Sequence, residues 1–94
     1  MSMSLAQKLA ADSVAAVAEG RNLQDVLAEI RAAHPRLSAQ ENGALQDIAY
    51  GCQRYLGSLK YMLGQMLKKP IDNPQLESLL LTAMYQLHYT RNAP

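Results

Sequence analysis

The sequence contains neither tryptophan nor phenylalanine, and its five aromatic residues are all tyrosines. Val, Ile and Thr, which favour strands, are also sparse. A core without large apolar rings must be built from Leu, Ala, Val, Ile and Met, which suits helix-on-helix packing better than a β-sandwich. The composition therefore predicts an all-α fold.

Cysteine and long apolar runs are also scarce. The single cysteine, Cys52, excludes a disulfide within this sequence, as is typical of proteins from a reducing cytoplasm. The longest apolar run falls far short of the ~20 residues that cross a bilayer, and no segment resembles a signal peptide. We therefore expect a cytoplasmic protein without a membrane partner.

The residue types that usually carry chemistry are too few and too far apart to suggest an active site. His34, Cys52 and His88 have no spacing typical of metal ligands or of a nucleophile with its base. No glycine-rich phosphate loop joins a strand to a helix. The sequence predicts no catalytic residue, metal or cofactor, and it predicts that Cys52 is an inert residue of the core.

The length and the charge distribution suggest one small domain with a mildly basic second half. Ninety-four residues are enough for a single core, so we assign one domain to residues 1–94. Residues 1–47 carry a net charge of −2 and residues 48–94 a net charge of +3. Such an asymmetry indicates either solvated helix faces or a surface for nucleic acid.

Local signals predict two helices in the first third of the chain. Ser4 and Gln7 have the spacing of a capping box, and Gly20 is suited to end the helix that follows. Asn22 can cap a second helix with apolar residues at i, i+3, i+4 and i+7 spacing. Pro35 stops that helix, because a residue before proline is disfavoured in the helical region.

A second capping box, Ser38 with Glu41, opens the longest periodic stretch in the sequence. Its apolar face continues as far as Met66, but glycines interrupt it, and each can cost up to ~1 kcal/mol relative to alanine. We expect a bend near Gly57 and Ser58, which divides the stretch into a third and a fourth helix.

The last two helical boundaries are marked by lysine, asparagine and proline. Lys68 and Lys69 are predicted to lie in the last turn of the fourth helix, where they oppose its dipole, and Pro70 ends it. Asn73 is a cap, and a proline follows at the first helical position. The fifth helix is predicted over about 74–89.

Basic residues interleaved with tyrosines are the best candidates for function. Positive side chains grip phosphate, and an aromatic ring can stack on an unpaired base. The alternative is that these are ordinary exposed helix residues beside half-buried rings. The candidates for RNA binding are Arg54, Lys60, Lys68 and Lys69, with Tyr55 and Tyr61 between them.

Two segments resemble a known family. They are YGCQRYLGSLKYMLGQMLKKP at 50–70 and the ending Tyr85-Gln86-Leu87-x-Tyr89-x-Arg91. The whole chain resembles the NusB-like fold, and these segments are similar to the amino-terminal domain of bacterial small-subunit ribosomal RNA cytosine-5 methyltransferases.

The resemblance implies a compact NusB-like helical bundle of about five helices that lacks the C-terminal helices of the full fold. It implies a non-catalytic RNA-binding domain of an S-adenosylmethionine-dependent enzyme, whose partners are ribosomal RNA and its own methyltransferase domain. In the NusB family, RNA contacts an arginine-rich start of the first helix. The matching region of this sequence offers only Lys8.

Two other functions remain open. One is a standalone transcription antitermination factor, which acts with a ribosomal-protein partner on a boxA-like RNA. The other is a helical interaction or dimerisation domain with no role in RNA binding.

The apolar ending LLLTAMYQLHYTRNAP predicts a surface that this sequence does not cover. One stripe, formed by Leu76, Leu79, Leu80, Ala83 and Leu87, is expected to pack on the preceding helices. In the NusB-like fold, further helices follow this one, so the sequence is interpreted as a fragment. The residues expected to remain uncovered, and to mediate self-association with a second copy, are Leu81, Met84, Tyr85 and His88.

Overall fold

The computed structural model describes residues 4–90, which form five α-helices and a final π-helical turn without any strand. The predicted all-α fold is confirmed. Arg91, which ends the terminal motif, lies outside the described residues. The helices are α1 (Leu5–Ala18), α2 (Leu23–Ala33), α3 (Ala39–Arg54), α4 (Leu56–Met66) and α5 (Pro74–Tyr85), and the π-helical turn Gln86–Thr90 continues α5.

The predicted helix caps are confirmed. The Ser4 hydroxyl accepts from the Gln7 N–H at 3.1 Å, and the Gln7 side chain accepts from the Ser4 N–H at 2.9 Å. Gly20 follows α1 with a φ of 103°, in the left-handed region that favours glycine. The remaining caps are Asn22 on α2, Ser38 with Glu41 on α3, and Asn73 on α5.

The bend between α3 and α4 lies at Tyr55, slightly before the predicted position at Gly57 and Ser58. Tyr55 has φ −109° and ψ 20°, whereas Gly57 remains inside α4. The Tyr55 ring stacks on the Tyr89 ring, with 4.0 Å between centroids and 8° between planes. The bend thus coincides with a contact between distant elements and not with the residue of lowest helix propensity.

The fourth helix also ends earlier than predicted. Met66 is its last residue, and Leu67 adopts an extended conformation with φ −104° and ψ 138°. Lys68 and Lys69 therefore lie in the loop between α4 and α5, and the prediction that they occupy the last helical turn is wrong. Pro70 follows within this loop, where its missing N–H interrupts no helical hydrogen bond.

Helix α1 is central to the bundle, with its largest contacts to α3 and α5 and smaller ones to α2. Its small side chains allow this close approach, and Ala10 is fully buried. Ser13 is also fully buried, and its hydroxyl donates to the Ala10 carbonyl at 2.6 Å, so that this buried hydroxyl has a hydrogen-bond partner. The core around these residues includes Leu9, Val14, Leu27, Leu45, Ile48, Ala49, Cys52, Leu59, Leu63 and Leu81.

The orientation of α5 contradicts the predicted interaction surface. Leu81, Met84 and Tyr85 are only 2%, 5% and 5% exposed, because α5 packs them against α1, α3 and α4 of the same chain. The prediction that they await a second copy is wrong, and of that set only His88 is exposed. The stripe expected to be buried instead faces outward in part, with Leu87 71% exposed.

The contact between Tyr85 and Gly51 accounts for this orientation. A β-carbon on Gly51 would overlap the Tyr85 ring, so the ring occupies space that only glycine leaves free on α3. The Tyr85 hydroxyl donates to Asp47 Oδ1 at 3.1 Å, one helical turn earlier on α3. Burial, followed by the nearby Asp47 carboxylate, raises the pKa of Tyr85 to about 12. Hydropathy alone could not reveal this fit, because both stripes of α5 are apolar.

Replacing Gly51 with alanine is expected to destabilise the fold. The added methyl must displace the Tyr85 ring, and overpacking of this kind costs about 1–3 kcal/mol. Gly43 lies in the same helix with no atom within 4 Å of an added β-carbon, so Gly43→Ala should leave stability unchanged or raise it by up to about 1 kcal/mol. Urea denaturation followed by circular dichroism measures both effects. Equal stabilities for the two variants would contradict the predicted contact.

Cys52 is buried in the core, as the sequence predicted. Its side chain is fully buried, and the thiol lies 4.0 Å from the Leu81 carbonyl oxygen. Burial, followed by the Asp47 carboxylate, raises the pKa of the Cys52 thiol to about 12. Reactivity requires the thiolate, so both access and ionisation oppose it.

The thiol should therefore resist alkylation in the folded protein. With a pKa of about 12, only roughly one Cys52 thiol in ten thousand is ionised at pH 8. We expect negligible labelling by a thiol reagent at pH 8 and one label per chain after unfolding in urea. Rapid labelling of the native protein would show that the α3–α5 contact opens readily.

Candidate nucleic-acid interface

A groove of about 400 Å³ lies where the end of α4, the following loop and the first turn of α5 meet. The end of α4 at Met66 and the extended backbone of Leu67 bring the loop lysines close to a lysine of α4. The groove is lined by Lys60, Leu63, Gly64, Leu67, Lys68, Lys69, Pro70, Ile71 and Glu77.

The groove combines a largely apolar floor with positive charges. Leu63 is buried, and Leu67 and Ile71 are half-buried. Lys60, Lys68 and Lys69 are exposed, and within residues 4–90 none of them forms an ion pair. Their ammonium groups are thus available to an external anion. The aliphatic part of a lysine can cover apolar surface while its charge remains in water.

One acidic residue opposes the lysines. Glu77 lies in the first turn of α5, where the helix dipole favours a negative charge. The lining carries three positive charges and one negative charge. The field of the groove therefore attracts phosphate, and a bound phosphate is expected on the lysine side, away from Glu77.

The other two predicted RNA-binding residues lie elsewhere. Arg54 precedes α4, and its guanidinium carbon lies 5.7 Å from the centroid of the Tyr55 ring. Lys8 is exposed on α1 and does not line the groove. The structure therefore brings together Lys60, Lys68 and Lys69, and leaves Arg54 and Lys8 outside the group.

The tyrosines predicted to alternate with the lysines do not line the groove. Tyr55 is half-buried in a stack with Tyr89, whereas Tyr61 is 69% exposed on α4. Sequence reasoning also missed Glu77 and Ile71 as lining residues. A proline directly after two lysines was the available signal that the lysines belong to a turn next to the following helix.

The chemistry of the groove suits ligand binding. Lysine ammonium groups around a concave surface can hold several phosphates of one strand.

In the part of the chain that the structure describes, no three His, Cys, Asp or Glu side chains are grouped as a metal site would require. No helix in residues 4–90 is long and apolar enough to span a bilayer.

The curated proteins that this chain resembles include several with the same name, that of a ribosomal RNA methyltransferase. Ribosomal RNA small subunit methyltransferase B of Sodalis glossinidius is 35% identical over 89 residues, which cover 92% of this chain and 20% of the relative. The protein of the same name from Pectobacterium carotovorum is 33% identical over 87 residues, or 87% of this chain and 20% of the relative. The chain thus spans about a fifth of the length of these relatives.

No solved structure matches the chain significantly. The model of the NusB protein family, however, matches residues 4–94, which is nearly the whole sequence. The all-α bundle, with α1 packed on α3 and α5, agrees with this match. The chain belongs to the NusB family.

Proposed function

We propose that residues 1–94 form the RNA-binding domain of a ribosomal RNA cytosine-5 methyltransferase. The domain helps to bind or orient ribosomal RNA and performs no catalysis itself. The observation that carries the proposal is the lysine groove, in which Lys60, Lys68 and Lys69 converge without ion-pair partners among the described residues. The relatives named as ribosomal RNA methyltransferases support the choice of substrate.

The proposed division of roles follows from the extent of the match. The relatives have about four fifths of their length outside the matched segment, which is ample for a catalytic domain that binds S-adenosylmethionine. The domain formed by this chain then adds phosphate contacts, which increase affinity and fix the orientation of RNA without reading its sequence. Its partners are ribosomal RNA and the methyltransferase domain of the same protein.

The groove should give salt-dependent binding to RNA. Three lysines that neutralise phosphates release counterions, so replacing all three with glutamine should reduce the slope of log affinity against log salt by about 2. We expect the variant Lys60→Gln/Lys68→Gln/Lys69→Gln to bind a fragment of small-subunit ribosomal RNA at least about tenfold more weakly at low salt. Fluorescence anisotropy with a labelled RNA measures both quantities.

Arg36→Gln is the matched control for charge, because Arg36 is an exposed basic residue outside the groove. We expect it to change affinity much less than the three-lysine variant. Equal losses per positive charge removed would indicate diffuse attraction and contradict the groove as the site. The charge reversals Lys68→Glu and Lys69→Glu should weaken RNA binding further, whereas a dimer held by apolar contacts would survive them.

The role within an enzyme can be tested in a chimera. The matched segment of the Sodalis glossinidius methyltransferase is replaced with this chain, and methylation of ribosomal RNA is measured. We expect the chimera to be active and the three-lysine variant to raise its KM for RNA while leaving kcat nearly unchanged, because the groove contributes binding and not chemistry. The same chimera with Arg36→Gln is the control.

Two results would contradict the proposed role. The first is a folded chimera whose KM for RNA equals that of the methyltransferase with the matched segment deleted. Such a chimera would show that the domain contributes nothing to RNA binding by the enzyme. Binding of the free chain to a boxA-like RNA that is strengthened by a ribosomal protein would instead identify an antitermination factor.

A further inference from the structure

A second concavity, of about 350 Å³, lies near the start of α4, away from the lysine groove. Four of the five tyrosines of the chain line it, and the sequence contains no phenylalanine or tryptophan. Aromatic rings are normally large contributors to a core, but of these four only Tyr85 is buried, and the other three remain partly exposed. The lining residues are Gln46, Asp47, Tyr50, Gly51, Arg54, Tyr55, Tyr85 and Tyr89.

Three of the rings are fixed in nearly parallel planes. Tyr55 and Tyr89 stack at 4.0 Å, and Tyr85 lies 5.9 Å from Tyr89 and 6.3 Å from Tyr55, with interplanar angles of 8–25°. The Tyr85 hydroxyl bond to Asp47 anchors the group to α3. Tyr89 remains 38% exposed and Tyr50 40% exposed. Rigid rings with exposed area can receive another planar ring at low entropic cost.

Polar groups from α3 border the aromatic surface. Tyr50 follows Asp47 by three residues and Gln46 by four, and Arg54 follows Tyr50 by four, so these side chains lie on one side of the helix. Asp47 accepts the Tyr85 hydroxyl through Oδ1, which leaves its other oxygen, Oδ2, to accept from a ligand. An Arg31 N–H donates to Gln46 Oε1 at 3.0 Å, which leaves the Gln46 amide nitrogen as a donor.

This combination favours a nucleobase over a cation. A cage for an ammonium ligand requires aromatic rings without a competing positive charge, but the Arg54 guanidinium already lies 5.7 Å from the Tyr55 centroid. Tyrosine rings with an arginine and hydrogen-bonding groups are typical of sites that take an unpaired base of RNA. The volume lies within the ~300–1,000 Å³ of small-molecule sites.

The polar groups also indicate which base fits. Guanine presents two adjacent N–H donors, N1–H and N2–H₂, beside one carbonyl acceptor, O6. Asp47 can accept from the donors, and Gln46 or Arg54 can donate to the carbonyl. Uracil offers a single N–H, and adenine and cytosine offer an amino group beside an acceptor nitrogen that a carboxylate would repel.

From this arrangement we infer that the tyrosine concavity binds one unpaired guanine of an RNA strand. The base stacks on the exposed area of Tyr50 and Tyr89, and its donor edge faces Asp47. The inference rests on the proposed RNA-binding function and adds base preference to it, because the lysine groove alone contacts phosphate.

The test compares hexauridylate with an RNA of the same length that contains one central guanine. Both carry the same phosphates, so the lysine groove should treat them alike. We expect the guanine to increase affinity about tenfold, roughly the effect of one additional hydrogen bond to a charged group, because Asp47 can accept from two donors of guanine but from only one N–H of uracil. Asp47→Asn keeps an oxygen that can accept the Tyr85 hydroxyl, and it should remove most of the preference.

Tyrosine variants identify the stacking surface. Tyr50→Ala and Tyr89→Ala should each abolish most of the guanine effect, and Tyr89→Phe should retain it because the ring is kept. Tyr61→Ala is the matched control, since Tyr61 is exposed on α4 and does not line the concavity. Circular dichroism confirms that each variant is folded. Equal affinity for the two RNAs, or a guanine effect that survives both alanine variants, overturns the inference.

A second measurement separates this inference from the proposed function. Guanosine monophosphate should quench tyrosine fluorescence of the wild type more than uridine monophosphate does, since no tryptophan is present and most of the tyrosines line the concavity. Guanine-selective quenching without any RNA binding would overturn the proposed function and with it the RNA strand as the ligand, while the concavity would remain a guanine site. Lysine-dependent RNA binding with no guanine-selective quenching would overturn the concavity and support the proposed function.

Discussion

The packing of Tyr85 against Gly51 is the contact on which most of the structure depends. It determines which stripe of α5 enters the core, because the ring can approach α3 only at the residue without a side chain. The hydrogen bond to Asp47 then fixes the ring along α3. Cys52, next to Gly51 in the chain, is covered by α5 at the Leu81 carbonyl, which explains both its burial and its raised pKa.

This contact also positions the two candidate binding surfaces. Tyr89 follows Tyr85 by one turn, and its stack with Tyr55 coincides with the bend from which α4 begins. Helix α4, which is about 16 Å long, then runs from the tyrosine concavity at Tyr55 to the lysine groove, whose lining begins at Lys60. A displacement of α5 would therefore alter the concavity directly and the groove through Glu77.

Sequence predicted the features whose causes lie within a few residues. The caps at Ser4, Ser38 and Asn73 were predictable because donor and acceptor are at most three positions apart. The buried stripe of α5 was not predictable by hydropathy, since the choice depends on a glycine more than thirty positions away. Lys60, Lys68 and Lys69 were named as candidates from the sequence, but their convergence in one groove was not predicted, because it depends on the early end of α4 and the extended backbone of Leu67.

Under the proposed function, the two surfaces supply different components of RNA recognition. Lysines at the groove attract any phosphate, and their contribution falls with salt irrespective of sequence. Asp47 acts in the opposite direction, since a carboxylate repels the RNA backbone and can be favourable only where it accepts hydrogen bonds from a base. The same carboxylate holds Tyr85 in place, so the side chain that would select the base also stabilises the contact on which the fold depends. Only a substitution that keeps an acceptor oxygen at this position, such as Asp47→Asn, would therefore alter the base preference while retaining the packing of α5.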